Sequence, residues 1–307
     1  MKALNAAQTA RALPYGSLVP AIARAALELA RSEIRAPERM VVTIDPTSVL
    51  LCMPAIASDI GVTKLVTVHA KNAERHMPVI QGEVVVFDAK TGKRIVLLDG
   101  PTVTARRTAA VTLLGIQALA PQKPSSALLI GTGVQAKAHA DALVQYFGIS
   151  EFFILGTNVQ KSRAFCATLK QRHRQVNASV IEQRDLEVAC PRVDVLIALT
   201  TSRIPVIPAH ISPHTLAVGV GAFKPDMAEF APELLHARRI VVDDLAGARH
   251  EAGDLLRAKV DWSTVSDLGS VLGRGVRFSD RATPAFKTVG QAAWDLAAAR
   301  VALTSLR

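Results

Sequence analysis

The sequence predicts an α/β protein built from a doubly wound parallel sheet and a second, α+β part. Two observations predict the parallel sheet: short apolar runs recur from residue 127 onward, and helical patterns alternate with them. A third observation predicts the α+β part, because two strand-like runs flank a turn within residues 82–98. Pro121 and Pro124 separate the two patterns and mark the predicted domain boundary.

The first part is expected to combine helices with an antiparallel sheet. Apolar residues at helical spacing predict a helix over residues 6–30, and a second, long helix over 104–119 ends before the prolines. Strands are predicted at 63–69, 82–88 and 93–98, and residues 89–92 form the turn of a hairpin.

The second part is expected to alternate strands and helices. Its helices are predicted over 134–146 and from the cap residue Asn158 to about residue 171, and a last helix runs over 288–303. The predicted strands are 127–130, 152–155, 178–181, 193–198, 215–220 and 239–242.

Composition and charge narrow the function classes. The formal net charge is +10, but Lys and Arg are spread along the chain and are not interleaved with aromatic residues, which argues against a nucleic-acid partner and favours small anionic ligands. No apolar run is long enough to span a membrane, and no export signal is recognisable at the N-terminus. The three widely spaced cysteines indicate neither disulfides nor a metal site, so we expect a cytoplasmic protein.

A glycine-rich turn follows the first strand of the second part. Its residues are Gly131, Thr132, Gly133, Val134 and Gln135, followed by Ala136 in place of the third glycine. Gly131 permits a tight turn, and Gly133 lets a pyrophosphate approach the backbone at a helix N-terminus. The strand–turn–helix context favours a Rossmann-type dinucleotide site over the alternative, an ordinary glycine-rich turn.

The end of the second strand bears on the choice of cofactor. An NAD-selective site normally has Asp or Glu at this point, and the chain instead has Thr157 and Asn158, followed by Lys161 and Arg163. These side chains favour NADPH over NADH, because they can hold a 2′-phosphate. The alternative is that they form only a helix cap and its first turn.

Three basic residues of the first part are candidates for anion binding. Arg39 precedes a strand, Lys64 lies within an apolar strand, and Arg107 lies near the start of a helix. A lysine among valines is costly to bury without a partner. The alternative for each is that it faces solvent.

Together these motifs resemble the ornithine cyclodeaminase/mu-crystallin family along nearly the whole chain. The resemblance implies that residues 1–120, completed by 285–307, form a substrate-binding and dimerisation domain, that residues 121–284 form the Rossmann domain, and that the protein is a homodimer. The matching segments are 36–39, 53–55, 63–66 with Asn72, 81–99, 104–110, 131–136, 198–202 with Pro205, 220–229 and 286–290.

Within the family, segments 63–69, 80–86 and 98–108 are most similar to reductases of Δ1-pyrroline-2-carboxylate and Δ1-piperideine-2-carboxylate. These cyclic imines arise in hydroxyproline and lysine breakdown, and their reduction by NAD(P)H gives proline or pipecolate. The resemblance implies that Arg39, Lys64 and Arg107 grip the substrate carboxylate, with Lys64 as a possible proton source. His69 and Gln81 are further candidates for lining the pocket, although each has a simpler structural interpretation. Near the cofactor the resemblance places Thr108, Thr200, Ser202 and Gly290.

One departure from the family bears on the chemistry. The cyclodeaminases carry an aspartate after the fifth strand, and our alignment places Phe223 there, with Asp226 as a loop or cap residue. A phenyl ring cannot transfer protons, so the sequence favours a reductase over a cyclodeaminase. The alternatives left open are an alanine dehydrogenase, a cyclodeaminase and a non-catalytic NADPH-binding protein. We expect no metal, because the histidines show no ligand spacing.

Overall fold

A computed structural model describes residues 2–188, 190–275 and 282–306. Its helices are α1 (Ala6–Arg11), α2 (Tyr15–Ala30), α3 (Gly100–Leu119), α4 (Val134–Phe147), α5 (Val159–Arg172), α6 (Gln183–Val188), α7 (Pro232–Ala237), α8 (Leu245–Glu251), α9 (Gly253–Ala258), α10 (Leu268–Arg274) and α11 (Ala292–Ser305). Its strands are β1 (Lys2–Leu4), β2 (Met40–Asp45), β3 (Ser48–Ile56), β4 (Ile60–His69), β5 (Ile80–Asp88), β6 (Arg94–Asp99), β7 (Ser126–Ile130), β8 (Glu151–Leu155), β9 (Asn177–Val180), β10 (Val195–Ala198), β11 (Leu216–Gly219), β12 (Ile240–Val242), β13 (Ser266–Asp267) and β14 (Ala285–Lys287).

The chain divides into two compact units. Unit 1 comprises Met1–Ala110 and Gln291–Arg307, and unit 2 comprises Val111–Gly290. The first border therefore falls within α3, whereas the sequence predicts a border after residue 120. The substrate and cofactor roles that the sequence assigns to the two domains stay a prediction. Within the described ranges, no helix is both long and apolar enough to cross a bilayer.

Unit 1 is a six-stranded mixed sheet in the order β1-β6-β5-β4-β3-β2. β1 pairs with β6 in parallel, and the other neighbours are antiparallel. The hairpin predicted at 82–98 is formed by β5 and β6. Alternate residues of β4 (Ile60, Val62, Lys64 and Val66) are buried, and the alanine-rich α11, almost wholly buried, packs on β3, β4 and α2. The small side chains of α11 allow this close packing of the helix on the sheet.

The prediction for unit 1 is wrong at one helix and incomplete at two strands. The helix predicted over 6–30 is broken into α1 and α2, because Pro14 takes an extended conformation (φ −65°, ψ 139°) at the N-cap of α2. The strand expected after Arg39 is β2, which was predicted without bounds, and the apolar run that forms β3 was not predicted as a strand. β2 is an edge strand, exposed throughout its length, so it lacks the inside–outside alternation on which the prediction relied.

Unit 2 is an eight-stranded, wholly parallel sheet in the order β13-β12-β14-β11-β10-β7-β8-β9. From β7 the chain proceeds outward through β8 and β9, then returns to form β10 on the other side of β7. This reversal opens a crevice at the carboxyl ends of β7 and β10, where open α/β sheets bind ligands. The predicted doubly wound sheet with a second α+β unit is confirmed.

The final segment differs from the prediction in one respect. Residues 285–287 form β14, which inserts between β11 and β12, and α11 begins at Ala292 after the N-cap Gln291. The helix predicted from residue 288 therefore starts four residues later. The motif Ala285-Phe-Lys287 is too short to show the period of a strand, so only its pairing with two buried neighbours reveals it.

Candidate functional site

The glycine turn of unit 2 lies at the reversal point of the sheet. Gly131 follows β7 with φ of +121°, a conformation that favours glycine, and its amide donates to the Leu155 carbonyl at 2.7 Å. A Cβ at Gly131 would lie 2.7 Å from the Leu199 carbonyl oxygen, so the turn packs directly against the backbone that follows β10. The glycine here is required by the fold itself.

The N-terminus of α4 fits a phosphate group. Gly133 is its N-cap and supplies no side-chain acceptor for the first-turn amides, and a Cβ built on Gly133 would meet nothing within 4 Å. Val134 is 74% exposed, and Gln135 Oε1 is buried without a hydrogen-bond partner among the described residues. An open backbone and uncapped amides at a helix N-terminus suit a pyrophosphate, and Thr132 lies within the same turn.

The edge after β8 lacks a carboxylate for ribose hydroxyls. Thr157 and Asn158 are exposed, and the Asn158 side chain accepts from the Lys161 amide at 2.9 Å, which caps α5. The Lys161 and Arg163 side chains are exposed within the first five residues of α5. Capping therefore occupies the Asn158 oxygen, and the role of the two cations beside a 2′-phosphate stays a prediction.

Thr200 and Ser202 follow β10 at the same edge. The Thr200 amide and hydroxyl donate to Glu229 Oε1 at 2.7 and 3.1 Å, and the Ser202 amide donates to the Thr200 hydroxyl at 3.3 Å. The other oxygen of Glu229, Oε2, accepts from the amides of Gly221 and Ala222. A single carboxylate therefore joins the loops that follow β10 and β11.

Gly290 is fixed by a second carboxylate. Its φ is +86°, and its amide donates to Asp243 Oδ2 at 3.0 Å, while the Val289 amide donates to Asp243 Oδ1 at 2.8 Å. The neighbouring Asp244 caps α8 by accepting from the Gly247 amide. Asp244 therefore caps a helix, whereas Asp243 holds the backbone that follows β14.

Unit 1 contains a buried cluster of charges around Asp295. Lys64 of β4 and Arg107 of α3 both contact this carboxylate of α11: Lys64 Nζ lies 2.9 Å from Oδ2, and Arg107 Nε donates to Oδ1 at 3.2 Å. The side chains of Lys64, Arg107 and Asp295 are 2%, 6% and 0% exposed. Two cations share one anion, so this cluster carries a net positive charge.

Burial lowers the pKa of Lys64 to about 8, with Asp295 opposing the shift and the charges of Arg107 and Arg39 adding to it. An ammonium that titrates near neutral pH can hold or release a proton in the working range of an enzyme. Arg39 is half-buried, and its charge is felt at Lys64, so all three predicted anion-binding residues lie in one region of unit 1.

Asp295 is the site residue that sequence reasoning missed. A charged residue in the apolar, alanine-rich run of α11 was the available signal, because an acid on a helix buried on all sides needs a partner. One turn before Thr108, which is buried on α3, the Thr104 hydroxyl is buried without a hydrogen-bond partner among the described residues. Thr104 and Thr108 are one helical turn apart and therefore share a face of α3.

His69 and Gln81 lie on the other face of the unit 1 sheet. His69 and Lys64 are five residues apart on β4, and Gln81 pairs directly with Thr67, so strand alternation separates both from Lys64. His69 Nδ1 lies 3.0 Å from the hydroxyl of Ser48, its pairing partner on β3. Their predicted role beside the substrate stays a prediction, and this placement does not support it.

The loop after β11 carries no acid at the position of Phe223. That ring is half-buried beneath Lys224, whose Nζ lies 5.9 Å from the ring centroid, and Asp226 pairs with Arg203 at 3.1 Å on the surface. Among the described residues, no three His, Cys, Asp or Glu side chains converge in a way that could hold a metal ion.

Comparison with known proteins gives matches along the whole chain. The family model of the ornithine cyclodeaminase/mu-crystallin family matches residues 6–306. The Δ1-pyrroline-2-carboxylate/Δ1-piperideine-2-carboxylate reductase of Azospirillum brasilense is 46% identical over 303 residues, which cover 98% of this chain and 95% of the relative.

Two solved structures share the fold. The Δ1-pyrroline-2-carboxylate reductase of Thermococcus litoralis, in complex with NADH and L-proline, is 24% identical with a TM-score of 0.90, covering 99% of this chain and 97% of its own. An archaeal alanine dehydrogenase dimer with bound NAD is 25% identical with a TM-score of 0.89, covering 99% and 95%.

Proposed function

Because this chain belongs to the ornithine cyclodeaminase/mu-crystallin family, we propose that it is an imine reductase, an NAD(P)H-dependent oxidoreductase acting on a C=N bond. Its substrates are Δ1-pyrroline-2-carboxylate and Δ1-piperideine-2-carboxylate, and its products are L-proline and L-pipecolate. The observation that carries this proposal is the buried pair of cations around Asp295, because it offers a net positive charge to the carboxylate of such an imino acid.

In unit 1, the guanidinium of Arg107 binds the substrate carboxylate. Asp295 occupies only its Nε, so the Nη edge remains for a carboxylate, and Asp295 holds the plane of the guanidinium in place. Lys64 contributes a second positive charge, and Arg39 a third. These groups fix the carbon that bears the carboxylate, which is the carbon that is reduced.

The reduction adds one hydride and needs a protonated nitrogen. A dinucleotide held at Gly131, Gly133 and the N-terminus of α4 would supply the hydride that the imine carbon accepts. The C=N π pair would then move to nitrogen, which would keep the proton of the iminium. Lys64 Nζ holds a proton in the neutral range, because the pKa of this group is about 8, and it is positioned among the carboxylate-binding groups to protonate the imine.

In unit 2, the cofactor binds at the carboxyl edge of the parallel sheet. The turn at Gly131 and Gly133 and the N-terminus of α4 take the pyrophosphate, and Thr200 and Ser202 lie at the same edge. We assign a preference for NADPH over NADH to Lys161 and Arg163, since no carboxylate follows β8.

The test is oxidation of NADPH, and separately of NADH, followed at the nicotinamide absorbance with each of the two imines. Pyruvate with ammonia, and ornithine alone, are parallel reactions for an alanine dehydrogenase and a cyclodeaminase. Rapid turnover of an imine supports the proposal. Turnover of pyruvate with ammonia but of neither imine would overturn it.

Variants distinguish substrate binding in unit 1 from cofactor binding in unit 2. We expect Lys64→Ala and Arg39→Ala to lower activity strongly while the Kd for NADPH changes little, because both residues belong to unit 1. The control is Arg31→Ala, which removes an exposed arginine paired with Glu33. Loss of NADPH affinity in the Lys64 or Arg39 variants would contradict the assignments.

We also propose that the protein is a homodimer formed through the exposed side of the unit 1 sheet. Met40, Val41, Val42 and Ile44 of β2 are 45–60% exposed, and Leu65 of β4 is 47% exposed. An apolar edge strand of this kind is normally covered. Sedimentation should give twice the chain mass of 32.7 kDa, and Val42→Asp should shift it toward the monomer. A monomeric wild type would refute this.

We propose a cytoplasmic location for the protein. Cys52, Cys166 and Cys190 are all unbridged, as is usual for proteins in a reducing compartment. Fractionation of cells that express the full chain tests this, and recovery in a periplasmic or culture-medium fraction would contradict it.

A further inference from the structure

A buried charge cluster lies beneath the cofactor edge of unit 2. It consists of Glu229, Asp254 and Lys287, whose side chains are almost inaccessible, and we call it the Glu229 cluster. Lys287 Nζ lies 3.1 Å from Asp254 Oδ2 and 3.7 Å from Glu229 Oε2. None of these residues was singled out by sequence reasoning, and none takes part in the chemistry described above.

Four donors converge on the carboxylate of Glu229. Oε1 accepts from the Thr200 amide and hydroxyl at 2.7 and 3.1 Å, and Oε2 accepts from the amides of Gly221 and Ala222 at 2.8 and 3.1 Å. Both oxygens of the side chain must therefore accept hydrogen bonds, which an ionised carboxylate does and an amide cannot. An asparagine or glutamine side chain at this position would turn its NH2 group, a donor, toward two other donors.

The backbone of Glu229 is held as firmly as its side chain. Asp254 Oδ1 accepts from the Glu229 amide and from the Phe230 amide, the latter at 2.9 Å. The Glu229 carbonyl accepts from the amides of Val206 and Ile207 at 2.9 and 2.8 Å. The position of its carboxylate is thus set by the surrounding backbone and not by the side chain alone.

The two loops joined by Glu229 are in direct backbone contact. A Cβ on Gly221 would clash with the Thr200 carbonyl oxygen, and a Cβ on Gly253, beside Asp254, would clash with the Met227 carbonyl oxygen. These approaches leave no room for adjustment. Displacement of the loop after β11 would therefore displace Thr200 as well.

Burying three charges is an expensive way to hold a loop. Each buried ion costs several kcal/mol of desolvation, and an apolar replacement of the same volume is often at least as stable. Residues that violate this preference in a native protein are concentrated at functional sites. The cluster lies under the loop of Thr200, which is next to Leu199, the residue against which the turn of Gly131 packs.

We propose that Glu229 is a positioning residue for the cofactor, acting through Thr200. The single proton of the Thr200 hydroxyl is committed to Glu229, and one lone pair accepts from the Ser202 amide. The remaining lone pair makes Thr200 an acceptor toward a ligand, suited to a hydroxyl or carboxamide donor of the dinucleotide. This inference rests on the proposed function only for the identity of the ligand.

The test measures cofactor binding separately from turnover. In the full-length protein, Glu229→Gln is expected to raise the Kd for NADPH, followed by nicotinamide fluorescence, about tenfold or more, because two donors face the new amide. We expect kcat at saturating NADPH to stay within about twofold of wild type. Glu233→Gln, an exposed glutamate on α7, is the matched control and should leave the Kd unchanged.

A second pair of variants covers the case in which Glu229→Gln does not fold, as judged by circular dichroism. Thr200→Val keeps the hydrogen bond from the backbone amide of residue 200 to Glu229 and removes only the hydroxyl, so it should also raise the Kd for NADPH. Thr200→Ser keeps a hydroxyl and should have the wild-type Kd. A folded Glu229→Gln with unchanged Kd, or a Thr200→Val with unchanged Kd, would overturn the inference.

The outcomes also separate this inference from the proposed function. If the wild type binds NADPH but reduces neither imine, the proposed function fails and the Glu229 test proceeds unchanged. If the wild type binds neither NADPH nor NADH, both are overturned.

Discussion

Replacement of Asp295 by Asn removes one charge from the buried cluster and preserves its shape. Lys64 then loses an anion 2.9 Å from its Nζ. At an effective dielectric constant of about 20, that attraction amounts to about 6 kcal/mol, and protein relaxation reduces the effect of one opposite charge on a pKa to about 1–3 units. The pKa of Lys64, already lowered to about 8 by burial, should fall by that amount.

The pH profile of kcat/KM reports this shift. In the wild type, the ammonium form of Lys64 is lost as pH rises through about 8, so activity should decline on the alkaline side. In Asp295→Asn the decline should begin about 1–3 pH units lower. The charged form of Lys64 destabilises the folded protein, because its folded pKa lies below the ordinary value. This destabilisation is lost as pH rises from about 8 toward 10.5.

The matched control is Asp59→Asn, which breaks a pair with Arg300 at the surface. Its carboxylate is half exposed, so screening limits the effect on stability and on the pH profile. An active, folded Asp295→Asn whose alkaline limb coincides with that of the wild type would refute the electrostatic role assigned to Asp295. Unfolding of Asp295→Asn moves the test to Asp295→Glu, which keeps the charge and should keep the wild-type limb.

Three further predictions concern unit 2. Gly131→Ala should lower the unfolding temperature, because the added Cβ would lie 2.7 Å from backbone and φ at this position is +121°. Gly133→Ala should keep the wild-type unfolding temperature and weaken NADPH binding. Equal unfolding temperatures for the two variants would contradict this prediction. Lys161→Ala should raise the Kd for NADPH several-fold, up to about tenfold, and leave the Kd for NADH unchanged, with Lys170→Ala as control; equal effects on both cofactors would exclude a 2′-phosphate contact. Burial lowers the pKa of His139 to about 4, so the free energy of unfolding in urea should fall by about 3 kcal/mol as pH drops from about 6.5 to 4, and His139→Gln should abolish that slope.

Local patterns predicted much of the framework. The alternation of apolar runs and helical segments after residue 127 matches β7 to β11 and the helices between them, because short buried strands and amphipathic helices have different periods. The glycine turn was recognisable for a similar reason, since a tight turn between strand and helix restricts which residues can occupy it. Local patterns were insufficient where the period was absent: they set no bounds for β2, which is exposed on both faces, and they missed β14, which has three residues.

The same limit of local sequence patterns applies to the candidate site. Lys64 and Arg107 attracted attention as charges in structured surroundings, but the sequence alone favoured solvent exposure for Lys64 and left it open for Arg107. The structure places both against Asp295, and Arg107 lies 188 residues from it along the chain. The acid in the alanine-rich α11 and the lysine in β14 were each visible as charges in apolar segments, but no local signal identified the partners that neutralise them.

The sequence by itself determined the α/β class, the glycine turn, the absence of an acid after β8 and the family to which the chain belongs. All of these depend on residues within one element or on the order of segments along the chain. Only the tertiary structure decided which charges are buried, which carboxylate each cation meets, and that His69 and Gln81 lie on the opposite face of the unit 1 sheet from Lys64. Those outcomes depend on the packing of distant elements, because the cost of burying a charge is settled by the partners that packing brings within a few ångströms.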